Sequence, residues 1–225
     1  ALWKICTAHS IPFIYASSAA TYGDGQLGFS DAHDHVAQLQ PLNAYARSKQ
    51  QFDLWALEQP SAPPRWYGLK FFNVYGPNEY HKARMASVIF HAWHQIRDTG
   101  TLKLFKSHRP DYKDGGQLRD FIYVRDVIQM VWDIAALMPA SGLYNVGTGK
   151  ARSFEDLGLA TFTAMQCAPN IEYIDMPADL REKYQYFTQA EMTKWTSAGL
   201  PLPATSLEQG VQDYVRQYLN AGKYF

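Results

Sequence analysis

The run Ile11-Pro-Phe-Ile-Tyr-Ala-Ser17 is short, apolar and β-prone, bounded by Ser and Gly, and reads as a buried parallel strand. From Pro41 to Glu58 good helix formers carry Tyr45, Phe52, Trp55 and Ala56 near helical spacing, until Pro60 and Pro63-Pro64 stop the helix. Trp66-Tyr-Gly-Leu-Lys-Phe-Phe72 is a second strand. Strand, helix, strand in that order implies a right-handed crossover and a parallel sheet, the mark of a layered α/β domain.

Outward from this unit, the first ten residues read as the end of a helix, and a polar, Gly-rich loop runs from the first strand to about Gln40. The character changes around Gly76-Pro77. Beyond it the pattern predicts helices over Ala86 to Arg97, Val124 to Leu137 and Phe154 to Met165, with strands at Leu102 to Phe105, Phe121 to Val124, Gly142 to Val146 and Ile171 to Ile174. His108 to Gln117 is a polar loop. Near the end, Leu207, Val211, Tyr214, Val215 and Tyr218 form a stripe at helical spacing, the docking face of a last helix.

With 225 residues, 47% of them hydrophobic, the chain holds ample core for one large domain or two small ones. No apolar run approaches the roughly 18 residues of a bilayer span, and 21 basic residues balance 21 acidic ones, which argues against polyanion or nucleic-acid binding. Only Cys6 and Cys167 occur, and no histidine has acidic or Cys partners at metal-ligand spacing, so a reducing cytoplasm and no metal are expected. No signal peptide is visible at the start.

Gly23-Asp-Gly25-Gln-Leu-Gly28 spells G-x-G-x-x-G after a strand, but a dinucleotide fingerprint must open a helix and be followed by an acidic residue about 20 positions on. Here Phe29-Ser-Asp-Ala-His-Asp-His35 is loop-like, so the glycines read as a surface loop. Tyr45-Ala-Arg-Ser-Lys49 is the stronger chemical candidate. Positions i and i+4 share a helix face, so an ammonium lies beside a phenol and favours its phenolate, which a general base near neutral pH requires. Such spacing also arises in any amphipathic helix with a snorkelling lysine. What shifts the balance is the strand end Ser17-Ser18-Ala-Ala-Thr21, 27 residues before Tyr45 counting from Ser18, which supplies a hydroxyl to hold a substrate oxygen.

Four segments together, Tyr15-Ala-Ser-Ser18-Ala-Ala-Thr21-Tyr-Gly23, Tyr45-x-x-x-Lys49, Phe72-Asn73-Val74-Tyr75-Gly76-Pro77 and Arg119-Asp120-Phe121-Ile-Tyr-Val124 with Asp126, resemble the extended short-chain dehydrogenase/reductases that modify nucleotide sugars. Asn78-Glu-Tyr-His81-Lys82-Ala-Arg84-Met-Ala-Ser87 with Phe90-His91, Lys103-Leu-Phe105 and Tyr184-Gln-Tyr-Phe187 narrow the resemblance to members that invert the 6-position of a nucleotide-linked heptose. The fold it implies is α/β: the C-terminal part of a Rossmann-like doubly wound parallel sheet plus a smaller mixed α/β substrate-binding lobe. The division it implies is a Rossmann-like part over 1–76 and a substrate lobe over 77–225, from which about 118–150 returns to the first part.

The chemistry implied is inversion by transient oxidation and re-reduction, since a carbinol hydrogen without an adjacent carbonyl is not acidic. By resemblance Tyr45 exchanges the hydroxyl proton in one orientation and Lys82 in the other. Lys49 tunes Tyr45, and Lys49, Tyr45 and Val74 meet a bound NADP, with NAD as the alternative. Ser18 and Thr21 orient the substrate; Asn73, Arg84, His91, Phe105, Arg119 and Tyr184 hold the nucleotide sugar, Arg119 by forking onto the diphosphate. From the residues alone, an ion pair of Arg119 with Asp120 or Asp126 is as good a reading. A homo-oligomer and a role in supplying lipopolysaccharide core precursors are further implications. The Gly-rich turn and helix that cradle the cofactor pyrophosphate in this family have no counterpart in the sequence, so a fragment that binds dinucleotide weakly is expected. A 4-epimerase or reductase of the same family, or a non-catalytic module, are the alternatives; a dehydratase falls because Ala19, Ala20 and Thr21 offer no carboxylate.

Overall fold

The computed structural model describes residues 1–181 and 184–224. Two compact units emerge, one of residues 1–72, 128–149 and 189–203, the other of residues 73–127, 150–188 and 204–225. The chain passes from the first to the second at Phe72 and Asn73 and returns within a helix, whereas the sequence reading placed these changes at about 76 and 118.

In the first unit, helix α1 (Leu2–Ala8) precedes strand β1 (Phe13–Ser18), helix α2 (Ala44–Leu57) and strand β2 (Trp66–Phe71). The predicted parallel pairing is present, from Phe13 opposite Trp66 to Ser18 opposite Phe71. Asn43 caps α2, its side-chain oxygen accepting from Ala46 N at 2.8 Å. The loop before α2 carries Gly23, Gly25 and Gly28 at φ of 63, 83 and 75°, and only short 3-10 turns at Ala19–Tyr22 and His33–Gln38 interrupt it, so the G-x-G-x-x-G string opens no helix. Three tryptophans organise the core: the Trp3 ring lies 5.4 Å from both Trp55 and Trp66. Gly68 leaves room in the sheet for its neighbours: a Cβ there would come within 2.4 Å of Tyr15 Oη and 2.6 Å of Leu143 Cδ2.

In the second unit β3 (Asn73–Tyr75), helix α3 (Val88–Thr99), β4 (Leu102–Phe105), β5 (Leu118–Arg119) and β6 (Phe121–Tyr123) follow. Helix α4 (Val124–Leu137) leads back to β7 (Gly142–Val146), which pairs in parallel with β2 and completes a three-stranded sheet in the order β1-β2-β7. Then come β8 (Arg152–Ser153), α5 (Phe154–Met165), β9 (Ile171–Ile174) and the short helix α6 (Ala178–Arg181); α7 (Thr193–Ser197) belongs to the first unit again, and α8 (Leu207–Asp213), which runs on as a wider turn through Leu219, to the second. The pairs are β3-β6 and β4-β9, both parallel, and β5-β8, antiparallel.

The predicted C-terminal stripe is the centre of this unit's core. Val211, Tyr214 and Val215 are fully buried and pack with Ile89, Trp93 and Leu157. Removing any one of the large side chains would cost about 2–5 kcal/mol, the transfer term plus the cavity left behind. The two- and three-residue strands β3, β5 and β8 escape sequence reading because they are too short to show a period.

Candidate active site

The end of β1 is held from beneath by a buried ionic network. Asp53, on the inner face of α2, and Lys70, next to last in β2, are both fully buried and meet at 2.8 Å. The Asp53 carboxylate also accepts from Ser17 Oγ at 2.7 Å and Tyr15 Oη at 3.0 Å. Lys70 Nζ donates to Thr21 Oγ1 at 2.7 Å, and Thr21 in turn donates to the Ser18 carbonyl at 2.8 Å. Burial pulls the Lys70 pKa down, with Asp53 opposing it. Burial, reinforced by Asp53, pushes the Tyr15 hydroxyl far above its ordinary value, so Tyr15 keeps the proton it donates to Asp53.

Thr21, expected at the substrate, is instead completely buried. Its hydroxyl links Lys70 to the strand end, so it can position Ser18 but cannot touch a ligand. Ser18 itself is nearly buried, and its Oγ accepts from Ala20 N at 3.1 Å, capping the 3-10 turn. That bond uses a lone pair and leaves the hydroxyl proton to donate.

Tyr45 and Lys49 lie on the same i, i+4 row of α2 as Asp53, two turns and one turn nearer the helix N-terminus, where that face opens to solvent. Tyr45 is 57% exposed, although its place in the helical stripe suggested packing. Lys49 Nζ lies 5.8 Å from the centre of its ring, and donates to the Ala16 carbonyl at 2.8 Å, two residues before Ser18. The lysine thus ties helix to strand end while keeping its charge beside the phenol.

In the second unit a cavity of about 330 Å³ is lined by Lys103, Phe105, Gln117, Arg119, Phe154 and Tyr184 among others. Arg119 is buried between the rings of Phe154, at 5.6 Å, and Tyr184, at 5.3 Å. Its guanidinium donates to the Leu118 carbonyl at 2.8 Å and to the Gln185 carbonyl. Asp126, one of the two carboxylates considered as its partner, accepts from Thr205 Oγ1 at 2.9 Å. Burial lowers the Arg119 pKa from its ordinary value, the cost of a cation held by dipoles and ring faces. A planar cation on the wall of an apolar cavity is suited to forked bonds with phosphate oxygens.

The remaining predicted residues divide. Phe105 and Tyr184 pack edge to face at 6.3 Å on that cavity. His91 does not line it; on α3, its ring lies 5.8 Å from Phe90. Asn73 and Val74 lie on β3, Asn73 exposed and donating from its backbone to the Asp120 carbonyl at 3.0 Å. Lys82 and Arg84 are exposed on the 3-10 segment Tyr80–Met85, on either side of Ala83, whose φ of 48° and ψ of −128° are unfavourable for a residue with a Cβ. Such a conformation costs on the order of 1–3 kcal/mol and persists only where surrounding structure enforces it.

Residues 1–147 match the sequence model of the NAD dependent epimerase/dehydratase family. The chain belongs to that family. It is 54% identical to the ADP-L-glycero-D-manno-heptose-6-epimerase of Nitratidesulfovibrio vulgaris (strain DP4) over 224 residues, covering all of this chain and 69% of that protein. It is 50% identical to the protein of the same name from Fusobacterium nucleatum, covering 97% of this chain and 68% of that one. Among solved structures, the ADP-L-glycero-D-manno-heptose-6-epimerase of Helicobacter pylori is similar with a TM-score of 0.77 at 30% identity, over 95% of this chain and 61% of that one. The fold is shared more widely: the UDP-N-acetylglucosamine 4-epimerase of Methanobrevibacter ruminantium gives a TM-score of 0.79 at 20% identity. The chain spans about two thirds of the length of these epimerases.

Sequence reading did not single out Lys70, Asp53, Gln117 or Phe154. The first had a signal: a lone lysine in the apolar strand Trp66-Tyr-Gly-Leu-Lys-Phe71 demands a buried partner, and α2 offers Asp53 as its inward carboxylate. Gln117 and Phe154 gave none, since nothing local marks a loop residue or a helix start as cavity wall.

Proposed function

We propose that this chain carries the catalytic and substrate-binding residues of an epimerase that inverts the 6-position of ADP-glycero-manno-heptose, and so supplies a precursor of lipopolysaccharide core. The observation that carries the reading is the accessible Tyr45-Lys49 pair tied to the strand end of Ser18 through the Ala16 carbonyl, in a chain 50–54% identical to heptose epimerases. Tyr45 takes the proton from the sugar hydroxyl and returns it, with the Lys49 ammonium held beside its ring. Ser18 donates its hydroxyl proton to the same substrate oxygen. Lys82 exchanges the proton when the carbonyl presents its other face, and Arg119 binds the diphosphate beside Phe105 and Tyr184.

The residues present fit the nicotinamide ribose end of a dinucleotide, because Tyr45 Oη and Lys49 Nζ are accessible donors on one helix face. When bound, NADP supplies the hydride acceptor and donor. The cation of Lys49 favours a ribose hydroxyl and a developing phenolate alike. In a cytoplasmic homo-oligomer, these side chains would serve one nucleotide sugar per copy.

The test is to incubate the full-length protein containing this chain with ADP-D-glycero-D-manno-heptose and NADP and to resolve the products by NMR. Appearance of the L-glycero epimer is expected. Inversion at a hexose 4-position, with the heptose untouched, overturns the reading.

A further inference from the structure

Glu79 is a buried carboxylate to which the proposed chemistry gives no part. It stands at the start of the segment that carries Lys82 and Arg84, and it is only 4% exposed. One carboxylate oxygen accepts from Ser87 N at 2.7 Å; the other accepts from Ser87 Oγ at 2.5 Å and from Tyr214 Oη at 2.9 Å. Glu79 and Ser87 are the two ends of the loop, with residues 80–86 between them. One carboxylate therefore closes the neck of the loop and fastens it to Tyr214, a fully buried residue of the unit's core.

Inside the neck the loop has few other holds. Residues 81–85 are exposed, Met85 at 79%. Lys82 N donates to the Glu79 carbonyl at 2.9 Å and Ala86 N to the Ala83 carbonyl at 3.0 Å. Tyr80 holds the same side of the neck, donating to the Lys223 carbonyl at 2.6 Å. The unfavourable backbone at Ala83 sits directly after Lys82, and a free loop of this length would relax it. Ser87 has a second duty: its Oγ caps α3, accepting from Phe90 N at 3.3 Å, so the clamp also sets where the loop ends and the helix begins.

We infer that Glu79 is the positioning residue for Lys82: its carboxylate clamps residues 80–86 into the one conformation that presents the Lys82 ammonium, and Tyr214 anchors the clamp to the core. The role of Lys82 rests on the epimerase reading; the clamp itself does not. Replacing Glu79 leaves the chemistry of Lys82 intact and multiplies the conformations over which it is spread. The loss therefore falls on kcat more than on KM, because Arg119 and its cavity still bind the nucleotide.

The experiment compares wild type, Glu79→Gln, Glu79→Ala and Tyr214→Phe in the full-length protein, by amide hydrogen exchange and by epimerase kinetics. In Glu79→Ala the amides of Lys82, Ala86 and Ser87 are expected to exchange at least tenfold faster while those of α5 are unchanged, and kcat to fall at least tenfold with KM within threefold. Glu79→Gln keeps one acceptor oxygen and falls between. Tyr214→Phe removes only the anchor and moves both readouts the same way by a smaller factor, which decides the matter if Glu79→Ala does not fold. Unchanged exchange at those three amides overturns the clamp. Faster exchange with kcat and KM both at wild-type values overturns the positioning of Lys82. If wild type does not epimerise the heptose, the functional reading falls, and the exchange rates alone decide the clamp.

Discussion

The strand end that carries Ser18 and the loop that carries Lys82 hold their side chains by opposite means. Beneath Ser18, a charge pair with no exposure, Asp53 and Lys70, gathers Ser17, Tyr15 and Thr21 into one network inside a parallel sheet. Around Lys82, the chain is exposed, strained at Ala83, and gripped chiefly at its neck by Glu79. A buried network fixes geometry at a high desolvation cost and allows little motion. A clamped loop costs less and can open when its clamp is released. The first arrangement suits a group that must stay aligned throughout a reaction; the second suits one that meets substrate in a single orientation.

The largest effect that would break this comparison is at Lys70. Lys70→Met leaves the Asp53 carboxylate buried without its cation, and urea unfolding is expected to show a loss of about 3–5 kcal/mol, most of it recovered when Asp53→Leu is added. A loss below about 1 kcal/mol would show the network to be dispensable. Tyr45→Phe should lower kcat by at least about a hundredfold while thermal unfolding shifts stability by less than about 0.5 kcal/mol, because an exposed hydroxyl supports no packing. Ala83→Gly should raise stability by about 1 kcal/mol, since glycine adopts the backbone angles at Ala83 without the Cβ penalty, offset in part by its greater freedom in the unfolded chain. No gain would mean that the loop is not under tension.

The smallest effect concerns His33, in the loop before α2. Burial, and then the nearby Lys194, lower its pKa to about 4 in the folded chain. Its Nε2 accepts from Leu143 N at 3.1 Å, which requires the neutral ring. The unfolded chain therefore takes up the proton first as pH falls below about 6.5, so the stabilisation is complete above that value and is lost progressively toward pH 4. With the ring partly open to water, the loss at pH 5 relative to pH 7 should be about 1 kcal/mol larger for wild type than for His33→Gln.

Much of this was legible in the chain. Val124–Leu137 and Phe154–Met165 have the bounds that periodicity gives them, and the β1-α2-β2 crossover follows from strand, helix and proline signals. Tyr45 and Lys49 could be paired because i and i+4 on a helix are neighbours wherever the helix lies. Thr21 could not be judged in the same way. Its distance along the chain from Ser18 is three residues, but whether it faces ligand or interior depends on Lys70, 49 residues away. Glu79 looked like one more polar loop residue until Ser87 and Tyr214 closed on it.

The amino-acid sequence alone determined what is local or carried by several residues in a row: the parallel α/β pattern, the pairing of Tyr45 with Lys49, the loop character of Gly23 to Gly28, and the family. Tertiary structure alone decided which polar side chains are working surface and which are scaffold. It buried Thr21, exposed Tyr45, set Arg119 between two rings rather than beside Asp126, and made Glu79 the neck of the Lys82 loop. The physical reason is that burial and hydrogen-bond partnership are properties of residues brought together from distant positions, and no periodicity in the chain records them.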